Sequence, residues 1–92
     1  MFAYAGRVIR VRGVPINDDE ARELAHRLAH DEVAASLADR LARALDGGGG
    51  LIATDRLEAR AALFAVQATL AKREHSERLL ELRGSLVAKL ES

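Results

Sequence analysis

The chain has 92 residues, 14 basic and 14 acidic side chains, a formal net charge of +0 and no cysteine. That length suits one domain, zero net charge gives no global drive toward nucleic acid or anionic membrane, and the absence of cysteine excludes disulfides and thiolate zinc sites. Aromatic residues are limited to Phe2, Tyr4 and Phe64, so the core must be built from leucine, alanine and valine. At this size only about two-thirds of the unfolded surface can be buried, so a core shared between subunits would add stability. No apolar run approaches ~18 residues, and residues 1–30 lack a signal-peptide core, so a cytoplasmic protein with no membrane partner is expected. Arginine outnumbers lysine 12 to 2, a codon bias of GC-rich bacterial genomes.

The expected fold is mainly α. Residues 7–12 alternate, with Ile9 and Val11 on one face and Val8, Arg10 and Arg12 on the other, which predicts a short half-buried strand. Gly13 and Pro15 are expected to end it. Over 17–46 a helical hairpin follows. Asn17 or Asp18 caps its first helix, and Asp18, Asp19 and Glu20 favour the positive end of the helix dipole. Ala21, Leu24, Ala25 and Leu28 form the inner face, and helical order weakens near His30 and Asp31. Val33, Leu37, Leu41, Ala44 and Leu45 line the second helix.

Gly47 to Gly50 stop that helix, and the first of them can take the left-handed conformation at a C-cap. Leu51, Ile52 and Ala53 suit a second short strand beside residues 7–12. Thr54 or Asp55 then caps a long amphipathic helix over 55–91, and Asp55 with Glu58 three residues on resembles a capping box.

That last segment is the most informative part of the chain. Leu57, Ala61, Phe64, Ala68 and Ala71 recur with 4-3-4-3 spacing. His75 takes the next slot, then come Leu79, Leu82, Leu86 and Leu90. A second stripe, Leu63, Val66 and Leu70, runs along the first half. At ~1.5 Å per residue such a helix spans about 55 Å, against roughly 30 Å for a compact domain of this length. The expectation is therefore a coiled-coil-like, dimerising helix. Its interface would be Phe64, Ala68, Ala71, His75, Leu79, Leu82, Leu86 and Leu90. His75, a polar seam residue, would fix register there and sense pH. The alternative is a break near His75 and Ser76, giving two antiparallel helices with Ser76 as N-cap.

Chemistry-bearing motifs are few. His26 and His30 are four apart, the spacing at which two imidazoles share a metal. Glu23 lies three residues before, but the set projects opposite Leu24 and Leu28, so no metal site and no cofactor are expected. The glycine run does not place carboxylates at the ligand positions of a calcium loop. Nor is it followed by the Gly-Lys-Ser/Thr of a phosphate loop. No serine lies in a Gly-x-Ser-x-Gly context. The expected function is a non-catalytic interaction or assembly module whose partner is a second copy of itself or another protein.

Arg7, Arg10 and Arg12 occur with no acid before Asp18. Strand, helix, helix over residues 7–45 resembles the element order of ribbon-helix-helix DNA-binding proteins, in which paired strands of a dimer enter the major groove. The resemblance implies a small dimeric DNA-binding regulator using Arg7, Arg10 and Arg12 as the alternative function. The glycine-containing turn between that family's helices is absent here, and charge on an edge strand also serves to discourage stray pairing.

Overall fold

The computed structural model describes residues 8–72 and 76–92. Elements run β1 (Ile9–Val11), β2 (Val14–Ile16), α1 (Asp18–Leu28), a single 3-10 turn (Glu32–Ala34), α2 (Ala35–Gly47), β3 (Gly50–Ile52), α3 (Arg56–Lys72) and α4 (Glu77–Glu91). The chain is mainly helical, with a small three-stranded sheet of order β2-β1-β3.

β1 forms as the alternation predicts, with Ile9 and Val11 buried and Arg10 exposed. It ends at Val11, just before Gly13, but the chain turns back there instead of leaving the sheet. Arg12 and Gly13 both adopt positive φ, 52° and 84°, the backbone of a two-residue hairpin turn. The chain returns as β2, pairing Val11 with Val14 and Ile9 with Ile16. Pro15 is tolerated in β2 because it faces away from β1 on an edge strand, where no N–H is required. β3 pairs with β1 in parallel, Arg10 opposite Leu51, so the strand expected beside residues 7–12 is present.

Four consecutive glycines make the close approach of β3 possible. Gly47 ends α2 and Gly48 supplies the left-handed C-cap at φ 90°, one residue later than expected. At Gly49 (φ 109°) a Cβ would lie 2.7 Å from the Val8 carbonyl oxygen and 2.8 Å from its nitrogen, so only glycine fits.

Capping boxes start two helices. Asn17 accepts from the Glu20 N–H and Glu20 accepts from the Asn17 N–H. Asp55 and Glu58 exchange the same pair of bonds at 2.7 and 3.0 Å. Thr54 is not the cap; its hydroxyl is buried without a partner among the described residues. Helix α1 ends at Leu28, with Ala29 as its C-cap, and a 3-10 turn precedes α2, in line with the expected weakening.

The single helix expected over 55–91 is two helices, α3 and α4, packed against each other. The break has a local cause. Ser76 has extended backbone and its side chain accepts from the Leu79 N–H, satisfying a donor that a helix start leaves open. Folding back buries Leu79, Leu82 and Leu86 completely in the chain's own core. The radius of gyration is 12.3 Å and the longest extent 39 Å, shorter than an unbroken helix would need. Arg56, at the start of α3, clasps the end of α4 by donating to the carbonyls of Leu90 (2.6 Å) and Ser92 (3.1 Å). A cation at a helix C-terminus is favourable to the dipole.

One apolar core joins the sheet's inner face (Ile9, Val11, Val14, Ile16, Ile52) to all four helices. Helix α1 contributes Leu24 and Leu28, α2 Leu37 and Leu41, and α3 Ala59, Ala62 and Val66. No helix among the described residues is long and apolar enough to cross a membrane.

Candidate interaction surfaces

The eight residues expected at an oligomer interface divide sharply. Leu79, Leu82 and Leu86 lie fully inside the core and Leu90 packs partly against it, so they are not available to a partner. His75 lies outside the described residues. Phe64, Ala68 and Ala71 lie on the outer face of α3 and are exposed.

That face carries the whole first half of the 4-3-4-3 stripe. Leu57 and Phe64 are 61% and 60% exposed. Ala61, between them, is buried in the core. The second stripe is the one that meets the core: Val66 is fully buried and Leu63 and Leu70 pack against it. Two stripes of similar apolarity ran along one helix, and only one could be covered. Val33 extends the exposed one. It was expected inside α2's inner face but belongs to the 3-10 turn and is 52% exposed. A shallow groove is lined by Asp31, Val33, Leu57, Arg60, Ala61 and Phe64. It therefore presents apolar side chains flanked by one acid and one base. Among the described residues Arg60 makes no ion pair.

The basic strand is placed differently from a DNA-reading ribbon. Both edges of β1 are occupied, by β2 and β3, so β1 has no free edge for a second copy. Arg10 is exposed on the outer face of the sheet. Arg12 instead reaches back, its Nε donating to Ser85 Oγ of α4 at 3.1 Å. Arg7 lies outside the described residues.

His26 and His30 are exposed on the polar side of α1 and its end, ring centroids 5.6 Å apart and edge-to-face. No group of three His, Cys, Asp or Glu side chains suited to a metal exists among the described residues. The groove beside His26 is lined by Asp19, Arg22, Glu23, Arg27 and Lys72. Its charges are largely spent on ion pairs along α1, Arg22 with Asp19 and Arg27 with Glu23.

Two buried carboxylates organise the molecule. Glu20, 1% exposed, accepts from Ser76 Oγ (2.6 Å), from Arg78 Nε (2.9 Å) and from its own capping-box partner. Burial alone would push this carboxyl up. The hydrogen bonds from Arg78, Ser76 and the Asn17 N–H, with the charge of Arg78, outweigh it and hold the carboxyl below its ordinary value. Glu58 accepts from Arg40 at 2.5 Å while Arg40 also donates to the Ala53 carbonyl. These carboxylates hold elements together, and every oxygen bond they make serves a cap or a cross-link. Sequence reading missed the Glu20 network, whose one visible signal was a glutamate three residues after Asn17.

Comparison with known proteins finds no matching family model, no similar curated protein and no similar solved structure.

Proposed function

We propose that this chain is a non-catalytic interaction and assembly module that pairs with a second copy through the outer face of α3. The observation that carries the reading is that Leu57, Phe64, Ala68 and Ala71 are exposed along one face of α3, with buried Ala61 completing their 4-3-4-3 spacing. Two heptads of that spacing make a seam that a like helix can match. The small exposed side chains of Ala68 and Ala71 let a second helix approach closely beyond Phe64. Asp31 and Arg60 beside the seam give the patch both signs of charge, so two copies suit each other. Zero net charge offers no long-range repulsion against self-association.

Leu57, Phe64 and Val33 are the large exposed apolar side chains of this patch, few beside the ~20–30 residues a side of a standard stable interface. The dimer is therefore reversible and concentration-dependent. A dilution series on the nitrogen-15-labelled chain tests the location. The amides of 57–71 should shift with concentration while those of α2's exposed side stay fixed. Shifts confined to other elements, or none at millimolar protein, would contradict the reading.

A further inference from the structure

We propose that the free edge of β3 is a docking site for an extended acidic peptide segment of another protein, which adds as a fourth strand beside Leu51. The register decides which backbone groups are available. The Gly50 N–H donates to the Val8 carbonyl at 3.0 Å and the Arg12 N–H donates to the Ile52 carbonyl at 2.9 Å. In a parallel ladder with that pattern Gly50 and Ile52 face β1, so the N–H and C=O of Leu51 point away from it. Neither has a partner among the described residues. The Leu51 side chain is 80% exposed, more than any other large apolar side chain described. An unpaired edge of this kind is a template for strand addition.

The two edges of the sheet are treated differently. On β2 the outward-facing residue is Pro15, which has no N–H to offer. On β3 the outward-facing residue is Leu51, whose donor and acceptor are both without a partner among the described residues. The sheet can grow on one side only.

Charge selects the occupant. Arg10 stands in register with Leu51 on the open face of the sheet. Arg40 and Arg43 of α2 line the groove along the edge, together with Gly49, Gly50 and Leu51. Arg40 is committed to buried Glu58. Among the described residues Arg43 pairs only with Asp39, both side chains largely in solvent at 79% and 58% exposed, a contact of little strength that an incoming carboxylate readily replaces. A second β3 would bring Arg10 and Arg43 toward their own copies, so like charges disfavour self-pairing here. An extended strand with glutamate or aspartate at alternate positions satisfies the backbone, covers Leu51 and meets the arginines. This surface is separate from the stripe on α3, and either can fail without the other.

The test is an amide-shift titration of the full-length labelled chain with a short blocked peptide alternating valine and glutamate, against the same peptide with lysine for glutamate. Saturable shifts at Gly50, Leu51 and Ile52 are expected with the glutamate peptide, and binding weaker by at least roughly tenfold with the lysine peptide. Leu51→Pro, which removes the outward donor, should abolish them. Arg43→Glu, a change on an exposed side chain, should weaken them by a similar factor and keeps the test decisive if Leu51→Pro fails to fold. The proposal is overturned by no saturable shift at 50–52, by equal binding of the two peptides, or by binding unchanged in Arg43→Glu. Shifts at 50–52 on concentrating the protein alone would overturn it too, by assigning the edge to a second copy.

Discussion

Ser76 Oγ donates a 2.6 Å hydrogen bond to Glu20 Oε2 across 56 positions of sequence. The same hydroxyl oxygen accepts from the Leu79 N–H. One serine therefore starts α4 and fastens it to the start of α1. Ser76→Ala removes both bonds and leaves a buried carboxylate short of a donor. The expected loss is about 1–3 kcal/mol, read as a lower urea midpoint.

The network also makes stability depend on acid. The Glu20 carboxyl is held below its ordinary value of 4.5, so the folded state binds this proton more weakly than the unfolded chain does. The stabilisation is fully present above 4.5 and is lost as pH falls through the depressed folded value. Arg78 is half in solvent, so screening limits its share. Glu20→Gln should lower stability at pH 7 and flatten its fall below about pH 5. Urea midpoints of both proteins between pH 7 and pH 3 measure this. Parallel curves would show that Glu20 is not the group responsible.

Gly49→Ala meets the Val8 backbone at 2.7 Å and demands a positive φ from alanine. Neither the peptide group nor the strand register can yield cheaply. A loss on the order of 2–3 kcal/mol is expected. Gly84→Ala is the control. Its Cβ meets nothing within 4 Å and it sits inside α4, where alanine gains about 1 kcal/mol of helix propensity. Thermal melts should move in opposite directions.

Thr54 is 7% exposed and its hydroxyl has no partner among the described residues. Valine keeps the shape and removes the unsatisfied group. Thr54→Val should be neutral or stabilising by up to about 1 kcal/mol, a rise in Tm of up to about 4–8 °C for a domain of this size. A fall in Tm would mean the hydroxyl is satisfied in solution.

Much of this architecture was legible because its signals are local. Asn17, one of the two residues expected to cap α1, does so, and Asp55 caps α3 as its spacing to Glu58 suggests, while the alternation at 7–12 marks which residues of β1 face inward. β2 was not legible, since Pro15 reads as a breaker until its edge position is known. The direction of the chain after Lys72 was not legible either. Periodicity says which residues share a face and is silent on whether the helix continues or turns back, and Leu79 fits both. Ser76 carried the signal for the turn. Which of α3's two stripes meets the core depends on α1, α4 and the sheet, none of which a helical repeat encodes. Of the residues expected at an interface, Phe64, Ala68 and Ala71 of α3 are exposed, while Leu79, Leu82 and Leu86 of α4 are buried in the core.

Self-association through α3 is tested most directly by absolute mass from light scattering over a concentration series, for the native chain and for Phe64→Asp. The native chain should rise from 10.0 kDa toward twice that value, while Phe64→Asp, altered at a solvent-facing position, stays at the monomer mass with an unchanged helical spectrum. A native chain that remains at 10.0 kDa up to millimolar concentration, or a Phe64→Asp variant that dimerises equally well, would contradict it.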